Sequence, residues 1–532
     1  MQRITLYTIF ISFVFVLLLL RRRRRRPYPP GPKGWPIIGD LKALEPKTKD
    51  SPPGTKYRWE RYVDWSCQYN SPDIVSIPVF GERMIILNTK KAVDDLLDKR
   101  SAKYSDRPAM RMANELSGIV SGYLLTSLYS ELVGHGTLDV MIFFDPSHPV
   151  SNLTFFFSDS HTTLRLVEHF QPRAMPQYYD IQRAATDALI QKLTTNPENF
   201  CEHIRQYFGS MVLKITYGYE LQINVATDPY VELANKAMQG LSKTSIPGTF
   251  LVDFFPVLKH MPEWLPGGGF KRRARMWKKE SYELRDRPWE WFKTALAKGT
   301  ADPSFATRSL EKLASSATVT SDRDREMMEE VIKNSAGVAY LAGTDTTVSF
   351  ILSFILNMIN NPDVQTRAQA EIDSLVASSG RLPDFGDQDK LPYTDAVIAE
   401  TLRLQPVTPY AVPHAVEEDD VYEGYWIPKG STVIGNVWAV LHDEDVYGAE
   451  PMQFNPDRFM PKEGDHSIIP PHPEKYAFGF GRRICPGRYL ALNNAWLATA
   501  RILADFTIVA AEGKEAPVVE YNDGLVRQVD RP

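Results

Sequence analysis

The sequence predicts a mainly α-helical α+β fold, and two kinds of hydrophobic pattern in its 532 residues predict it. From about residue 174 onward, apolar residues recur with the helical period, as at residues 179–193 and 200–217. The longest such stretch covers residues 329–360 and ends at an Asn-Pro pair, which is a normal helix stop. Short stretches at residues 73–79 and 83–87, separated by a Phe-Gly turn, are typical of paired strands. Many helices with a few small sheets indicate one large α-rich domain.

A charge-free apolar run at residues 4–20 precedes this domain and ends at six consecutive arginines, residues 21–26. As a helix it would span about 25 Å, slightly less than the roughly 27 Å of an endoplasmic-reticulum bilayer, and the arginines can snorkel to the surface. Arginines collect on the cytoplasmic side, so we expect a single-pass anchor at residues 1–20 with the body in the cytosol. The alternative is a buried core helix. A basic, proline-rich linker follows at residues 21–36, and we expect one domain at residues 37–532.

Charge and cysteine content argue against two classes of protein. Residues 1–26 hold seven arginines and no acidic residue, so the rest of the chain carries 54 basic and 65 acidic side chains. A nucleic-acid-binding protein would spread basic charge over its fold, which this chain does not do. Three cysteines cannot all pair, and in a chain this long they argue against a disulfide-stabilised secreted protein.

The sharpest motif is FGFGRRICPG, residues 478–487, which precedes a strongly helical stretch. Its glycines allow a tight loop that brings the backbone near Cys485 close to a flat partner, and Pro486 suits the first turn of the helix. Cys485 then lies at a helix N-terminus, where a thiolate is stabilised and can bind a metal. No second cysteine or histidine lies nearby in the sequence, so a tetrahedral zinc site is poorly supported. A single axial thiolate suits haem iron, and a buried bystander cysteine is the alternative.

A second motif, AGTDTT at residues 342–347, lies inside the longest predicted helix. Gly343 lacks a side chain and would leave room for a diatomic ligand beside the helix. Asp345 and Thr346 supply an acid and a hydroxyl that could relay protons to iron-bound oxygen. Alone, such a motif often only packs helices. Behind a thiolate loop it indicates oxygen chemistry.

These motifs resemble those of the cytochromes P450. The pattern F-x-x-G-x-R-x-C-x-G resembles the family's haem-binding loop, and AGTDTT resembles its oxygen-activating motif. The resemblance covers residues from about 30 to 506 and is closest to fungal microsomal members. It implies the cytochrome P450 fold and haem b (iron protoporphyrin IX) as cofactor. It also implies Cys485 as the axial iron ligand, and Phe478 and Gly487 as cofactor-binding loop residues.

Three charged residues resemble the family's structural network. Glu400 and Arg403 match its E-x-x-R motif, and their spacing places both side chains on one helix face. As an isolated pair they would be a surface contact of little energy. The resemblance adds Arg458, from FNPDRF, as the third member of a buried network that would hold the haem loop in place.

Two further residues are expected at the haem propionates. Arg483 would bind a propionate by the resemblance, because guanidinium pairs with carboxylate through two parallel hydrogen bonds. His414 matches a position where the family often has a basic group facing a propionate, and a satisfied core or surface histidine is the alternative. Arg482 and Arg488 are expected at the surface. They could form a basic docking site for an electron donor, and a plain solvated face is the alternative.

The match to the family fails between residues 119 and 164. Similar members carry a W-x-x-x-R helix there, whose tryptophan and arginine reach the propionates, but this segment contains no tryptophan, lysine or arginine. Our hypothesis is a mispredicted exon or translated intron, and the alternative is a real insertion that alters or inactivates the enzyme. Sequencing the transcript decides between them, because a message that encodes these residues refutes the first.

The resemblance implies a membrane-anchored haem-thiolate monooxygenase that inserts one oxygen atom from O2 into a small hydrophobic substrate. Electrons would come from NADPH through NADPH-cytochrome P450 reductase, and the substrate would be a secondary metabolite or xenobiotic. One alternative is a haem-thiolate isomerase or dehydratase, which needs no proton relay to dioxygen. The other is an inactive membrane-anchored relative that lacks proper haem binding.

Overall fold

The computed structural model describes residues 26–35, 38–40, 44–48, 51–52, 54–117, 169–220, 228–246, 248–317, 319, 321–461, 469–513 and 521–527. Within these ranges, ten α-helices have ten or more residues: α1 Arg58–Gln68, α2 Tyr179–Thr195, α3 Phe200–Tyr217, α4 Pro229–Thr244, α5 Gly269–Ala297, α6 Phe305–Ala314, α7 Asp322–Asn360, α8 Pro362–Ser379, α9 Pro392–Leu404 and α10 Arg488–Asp505. The predicted helices are confirmed, and α3 has the predicted bounds.

Short helical segments connect these helices. Those of α type are Lys90–Val93, Ser101–Tyr104, Leu251–Phe254, Val437–Leu441, Glu444–Tyr447 and Glu474–Ala477. Those of 3₁₀ type are Pro172–Tyr178, Pro197–Asn199, Pro256–His260, Phe385–Lys390, Pro456–Phe459 and Gly481–Arg483, and those of π type are Asp94–Lys99 and Met112–Leu116.

Two small sheets complete the described part of the fold. The strands are β1 Ile74–Val79, β2 Glu82–Leu87, β3 His414–Ala415, β4 Asp420–Tyr422, β5 Tyr425–Ile427 and β6 Thr432–Gly435. The larger sheet has the order β1-β2-β6-β3, in which only β2 and β6 pair in parallel, while β4 and β5 form a separate hairpin. The predicted β1–β2 hairpin is confirmed, and its turn places Phe80 and Gly81 at positive φ, as hairpin turns require.

Helix α7 is the centre of the molecule and packs against α3, α4, α5, α6, α9 and α10. It ends at Asn360, as predicted, but begins seven residues before the predicted start. The reason is a local cap, because the Ser321 side chain accepts a hydrogen bond from the backbone N–H of Asp324, and acidic residues fill the first turn.

Among the described residues, α7 is also the one helix long and apolar enough to cross a membrane. Two thirds of its most apolar window (67%) is buried inside the protein, which is the property of a core helix. The predicted anchor at residues 4–20 and the divergent segment at residues 119–164 lie outside the described residues.

Candidate functional site

The loop at residues 478–487 is closed by its own backbone and held against the segment Asp94–Lys99. The Cys485 N–H donates to the Phe478 carbonyl at 2.8 Å, and the Gly481 N–H donates to Asp98 Oδ1 at 2.6 Å. Gly481 has φ +53°, and a Cβ there would lie 2.2 Å from the Leu97 carbonyl oxygen. Only glycine allows this approach, which explains one of the glycines in the motif.

Cys485 keeps part of its surface accessible, although protein atoms surround its thiol. Helix α10 begins at Arg488 with Gly487 as its N-cap, so Cys485 lies two residues before the cap. The sequence predicted Pro486 in the first turn of this helix, but Pro486 lies just before the cap. Burial raises the pKa of the Cys485 thiol, while the Gly487 N–H and the Arg488 guanidinium oppose that rise. The expected stabilisation of the thiolate is therefore present but is the smaller effect, and a bound metal cation would supply the rest.

Cys485 belongs to no cluster of metal ligands within the described ranges. In the part of the chain that the structure describes, no group of three His, Cys, Asp or Glu side chains could hold a metal ion. A closed structural zinc site needs four such ligands, whereas haem needs one axial donor from the protein. The donor set around Cys485 therefore fits haem.

Helix α7 carries an accessible stripe in its otherwise buried middle. Val338, Ala339, Ala342 and Thr346 repeat at helical spacing and keep accessible surface. The Thr346 hydroxyl donates to the Ala342 carbonyl at 2.8 Å, so it lies on this stripe. Asp345 is only 5% exposed, so the structure separates the two predicted relay residues onto a buried and an accessible part of the helix.

Gly343 lies where helix α7 meets helix α3, and the predicted space for a ligand beside it stays a prediction. A Cβ at this position would lie 3.0 Å from a methyl carbon of Val212, on helix α3. The missing side chain therefore allows α3 and α7 to pack closely, while Gly343 keeps part of its surface accessible next to Ala342. Sequence alone could not distinguish these two uses of glycine.

Three basic side chains meet beside the cysteine loop. Arg483 Nε donates to the Ser105 carbonyl at 2.8 Å, His414 Nδ1 lies 2.6 Å from the Tyr104 carbonyl, and Arg107 Nη1 donates to the carbonyls of Val412 and Pro413 at 2.6 and 2.8 Å. Arg483 and His414 thus contact residues 104–105, and Arg107 contacts the two residues before His414. The sequence did not predict Arg107, because this residue lies outside the motifs described above.

The electrostatics of this cluster indicate room for an anion. Burial and then the charge of Arg483 lower the pKa of Arg107 to about 9, and the buried Arg107 Nε has no hydrogen-bond partner among the described residues. Burial, Arg107 and Arg483 lower the pKa of His414 well below its usual value. His414 is a buried histidine whose Nδ1 already contacts the Tyr104 carbonyl, and its place at a propionate stays a prediction. A carboxylate placed here would relieve the repulsion between the two guanidinium groups.

The structure also brings Glu400, Arg403 and Arg458 together. Arg403 donates two bonds to the Glu400 carboxylate, at 2.7 and 2.8 Å, and both side chains are fully buried. Arg458 Nε lies 3.4 Å from Glu400 Oε1, and Arg403 Nη1 also donates to the Leu441 carbonyl at 2.9 Å. Helix α9 thus connects to the Pro456–Phe459 segment through buried, paired charges.

The family model of the cytochromes P450 matches residues 160–531. The chain belongs to the cytochrome P450 family. Cytochrome P450 monooxygenase 98 of Postia placenta is 36% identical over 92% of this chain and 85% of its own length. A cytochrome P450 monooxygenase of Armillaria gallica is 38% identical over 94% and 89%. Tryptamine 4-monooxygenase of Psilocybe cyanescens is 36% identical over 95% and 89%. The chain is accordingly an oxidoreductase of a haem-containing family.

The residues present fit that cofactor. Cys485 offers one sulfur, and Arg107 and Arg483 offer positive charge beside it to the two carboxylates that a haem carries. The tryptophan and arginine of the expected W-x-x-x-R helix are absent from residues 119–164 of the sequence.

Proposed function

We propose that this cytochrome P450 inserts one atom of dioxygen into a small apolar molecule, with NADPH as the source of electrons. The observation that carries the proposal is the partly exposed Cys485, held in a loop closed by its own backbone two residues from the cation Arg483. When bound, haem with a thiolate ligand supplies the activation of dioxygen. One oxygen atom enters the substrate, and the other leaves as water with two protons and two electrons.

The side chains of this chain would bind, orient and move protons. Cys485 binds iron, and Arg107 and Arg483 neutralise the propionates. The Thr346 hydroxyl holds a proton at Oγ1, where it already has an acceptor in the Ala342 carbonyl. The hydroxyl on the accessible stripe favours oxygenation over the isomerase or dehydratase alternative, which needs no proton at dioxygen.

The substrate is proposed to be apolar because the stripe on α7 is apolar apart from Thr346. Val338, Ala339 and Ala342 present only hydrocarbon and backbone to whatever lies beside them. Apolar walls with a single hydroxyl favour substrates without charge. One relative acts on tryptamine by name, and a secondary metabolite or xenobiotic remains our proposal for this chain.

We propose NADPH-cytochrome P450 reductase as the electron donor and the endoplasmic-reticulum membrane as the location. Arg482 is exposed beside the cysteine loop and supports an acidic partner there. Arg488 contributes less, because it donates to the Tyr489 hydroxyl at 2.8 Å. The proposed single-pass anchor is residues 1–20.

Exposed apolar side chains support contact with the bilayer. Trp35 and Trp264 are 79% and 81% exposed, and Val257 is 71% exposed. The ring of Phe80 lies 5.0 Å from that of Phe255, which connects the β1–β2 turn to the segment containing Val257. Tryptophan at an apolar surface is typical of a membrane interface.

The test is turnover of the full chain with NADPH, a P450 reductase and ¹⁸O2, over a panel of apolar substrates. We expect one ¹⁸O atom in the product and NADPH consumption that depends on the reductase. Product formed without ¹⁸O would support the isomerase or dehydratase, and a protein without haem would support the inactive relative.

A further inference from the structure

A groove of about 520 Å³ lies where the linker meets the two sheets, away from the cysteine loop. Its walls come from the linker, the β1–β2 turn and the connection from β5 to β6. The Trp426 N–H donates to the Pro27 carbonyl at 2.8 Å, and the rings of Trp426 and Tyr28 lie 5.1 Å apart. These contacts fix the linker against the domain, so the groove is a formed feature of the fold.

In the part of the chain that the structure describes, no carboxylate forms an ion pair with Arg83, a cation that lines the groove. The Arg83 guanidinium lies 3.9 Å from the centre of the Tyr28 ring, and its Nη1 donates to Ser76 Oγ at 3.1 Å. Burial lowers the pKa of Arg83, and of the groups near it only the Tyr28 hydroxyl opposes that shift. A guanidinium has five N–H donors, and this contact uses one. Arg83 can therefore bind an anion that enters the groove.

The rim adds one charge of each sign. Lys429 and Glu82 both line the groove and are exposed. Two cations and one carboxylate leave a net positive charge on the groove. The exposed indole of Trp35 completes the rim with an apolar surface.

We propose that this groove binds a phosphate monoester, with Arg83 and Lys429 on the phosphate and Trp35 and Trp426 beside its organic part. Guanidinium groups match phosphate oxygens in geometry, and paired tryptophans favour the headgroup level of a membrane. The phosphate can come from a lipid headgroup or from a soluble ester, and the exposed Trp35 favours the lipid. The site is separate from the proposed oxygenation chemistry and does not rest on it.

The test is calorimetric titration of the full chain with dihexanoyl phosphatidic acid, inorganic phosphate and dihexanoyl phosphatidylcholine. We expect binding of phosphatidic acid, about tenfold or more weaker in Arg83→Gln, because a hydrogen bond to a charged group contributes about 1.5–3 kcal/mol. Arg367→Gln is the matched control, since Arg367 also lies 3.9 Å from a tyrosine ring but pairs with Asp457. Glu82→Gln should tighten binding, and this variant removes no packing.

Phosphatidic acid binding more tightly than inorganic phosphate supports the lipid as the source, and equal binding supports a soluble phosphate. The proposal is overturned if neither binds, if phosphatidylcholine binds equally well, or if Arg83→Gln and Arg367→Gln behave alike. The spectrum of the reduced, carbon monoxide-bound protein is recorded on the same samples. Loss of haem and loss of the phosphate site are then separate results.

Discussion

Thr346 and Thr344 make the same backbone contact on different sides of helix α7. Each hydroxyl donates to the carbonyl four residues earlier, at 2.8 and 2.7 Å, but Thr344 is 1% exposed whereas Thr346 lies on the accessible stripe. This pair separates the effect of a hydroxyl at the reaction site from the effect of a hydroxyl within the helix.

We expect Thr346→Ala to uncouple electron use from product formation, because the proton at Oγ1 is lost where dioxygen would react. Thr344→Ala should keep the coupling of the unmodified protein. The measurement is the ratio of product to NADPH consumed, together with peroxide released. Equal ratios in the two variants would contradict the role of Thr346.

Gly481 gives a second matched pair, with Gly380. Both have positive φ, +53° and +70°, but a Cβ at Gly380 meets nothing within 4 Å. Both alanine variants carry the cost of a left-handed backbone, roughly 1–2 kcal/mol. We expect only Gly481→Ala to lose haem as well, because the cysteine loop must move away from Leu97. The check is haem absorbance per protein, and an unchanged ratio in Gly481→Ala would refute this account of the loop.

At the scale of elements, the buried charges of Glu400 and Arg403 connect α9 to the segment carrying Arg458. We expect Glu400→Gln to destabilise the protein by ~3–5 kcal/mol, because it leaves buried guanidinium charge unpaired. Asp180→Asn is the control, since Asp180 forms a similar pair with Arg183 three residues later but is 98% exposed. Urea unfolding measures the free energy of unfolding of both variants. A small and equal loss of stability in the two would show that the network contributes little.

Asp253 connects the short helix Leu251–Phe254 to the segment around Met112 through hydrogen bonds. Its Oδ1 accepts a hydrogen bond from the Met112 N–H at 2.7 Å, and Arg111 donates to its backbone carbonyl at 2.7 Å. Its buried Oδ2 has no partner in the described part of the chain. Burial raises the pKa of Asp253 to about 7, Arg111 opposes this rise, and Glu82 adds to it. Met112 and Val252 belong to a small apolar cluster separate from the main core.

We expect this contact to weaken as pH rises. The pKa of Asp253 in the folded protein lies above its ordinary value of 3.8, so the closed contact holds the proton more tightly than the open one. The stabilisation of the closed contact by protonated Asp253 is complete below about pH 4. It is lost as the pH rises through about 7, and it changes little above that pH. Hydrogen-exchange protection of residues 112–116, corrected for intrinsic rates, should fall at least about tenfold over this range. Asp253→Asn should abolish the dependence, and a pH dependence that persists in Asp253→Asn would contradict this role.

At the scale of the whole molecule, local patterns predicted local structure. The bounds of α3 and the β1–β2 hairpin follow from periodicity and from a turn with positive φ, which neighbouring residues determine. The Cys485 loop was predictable because glycines at fixed spacing encode its backbone. None of this required knowledge of distant contacts.

What the sequence did not predict depends on contacts between distant residues. Arg107 and Arg483 repel each other only because the fold brings together two segments almost four hundred residues apart. The packing of Gly343 against Val212 and the depressed pKa of His414 have the same origin. A pattern indicates which residues are available, and packing decides which of them face the site.

The central claim is that Cys485 is the thiolate ligand of a haem, and the spectrum of the reduced, carbon monoxide-bound full chain tests it most directly. We expect the red-shifted Soret band of thiolate-ligated haem, and we expect Cys485→His to move it to the position of imidazole-ligated haem. The unmodified protein with an unshifted band, or without haem, would contradict the account.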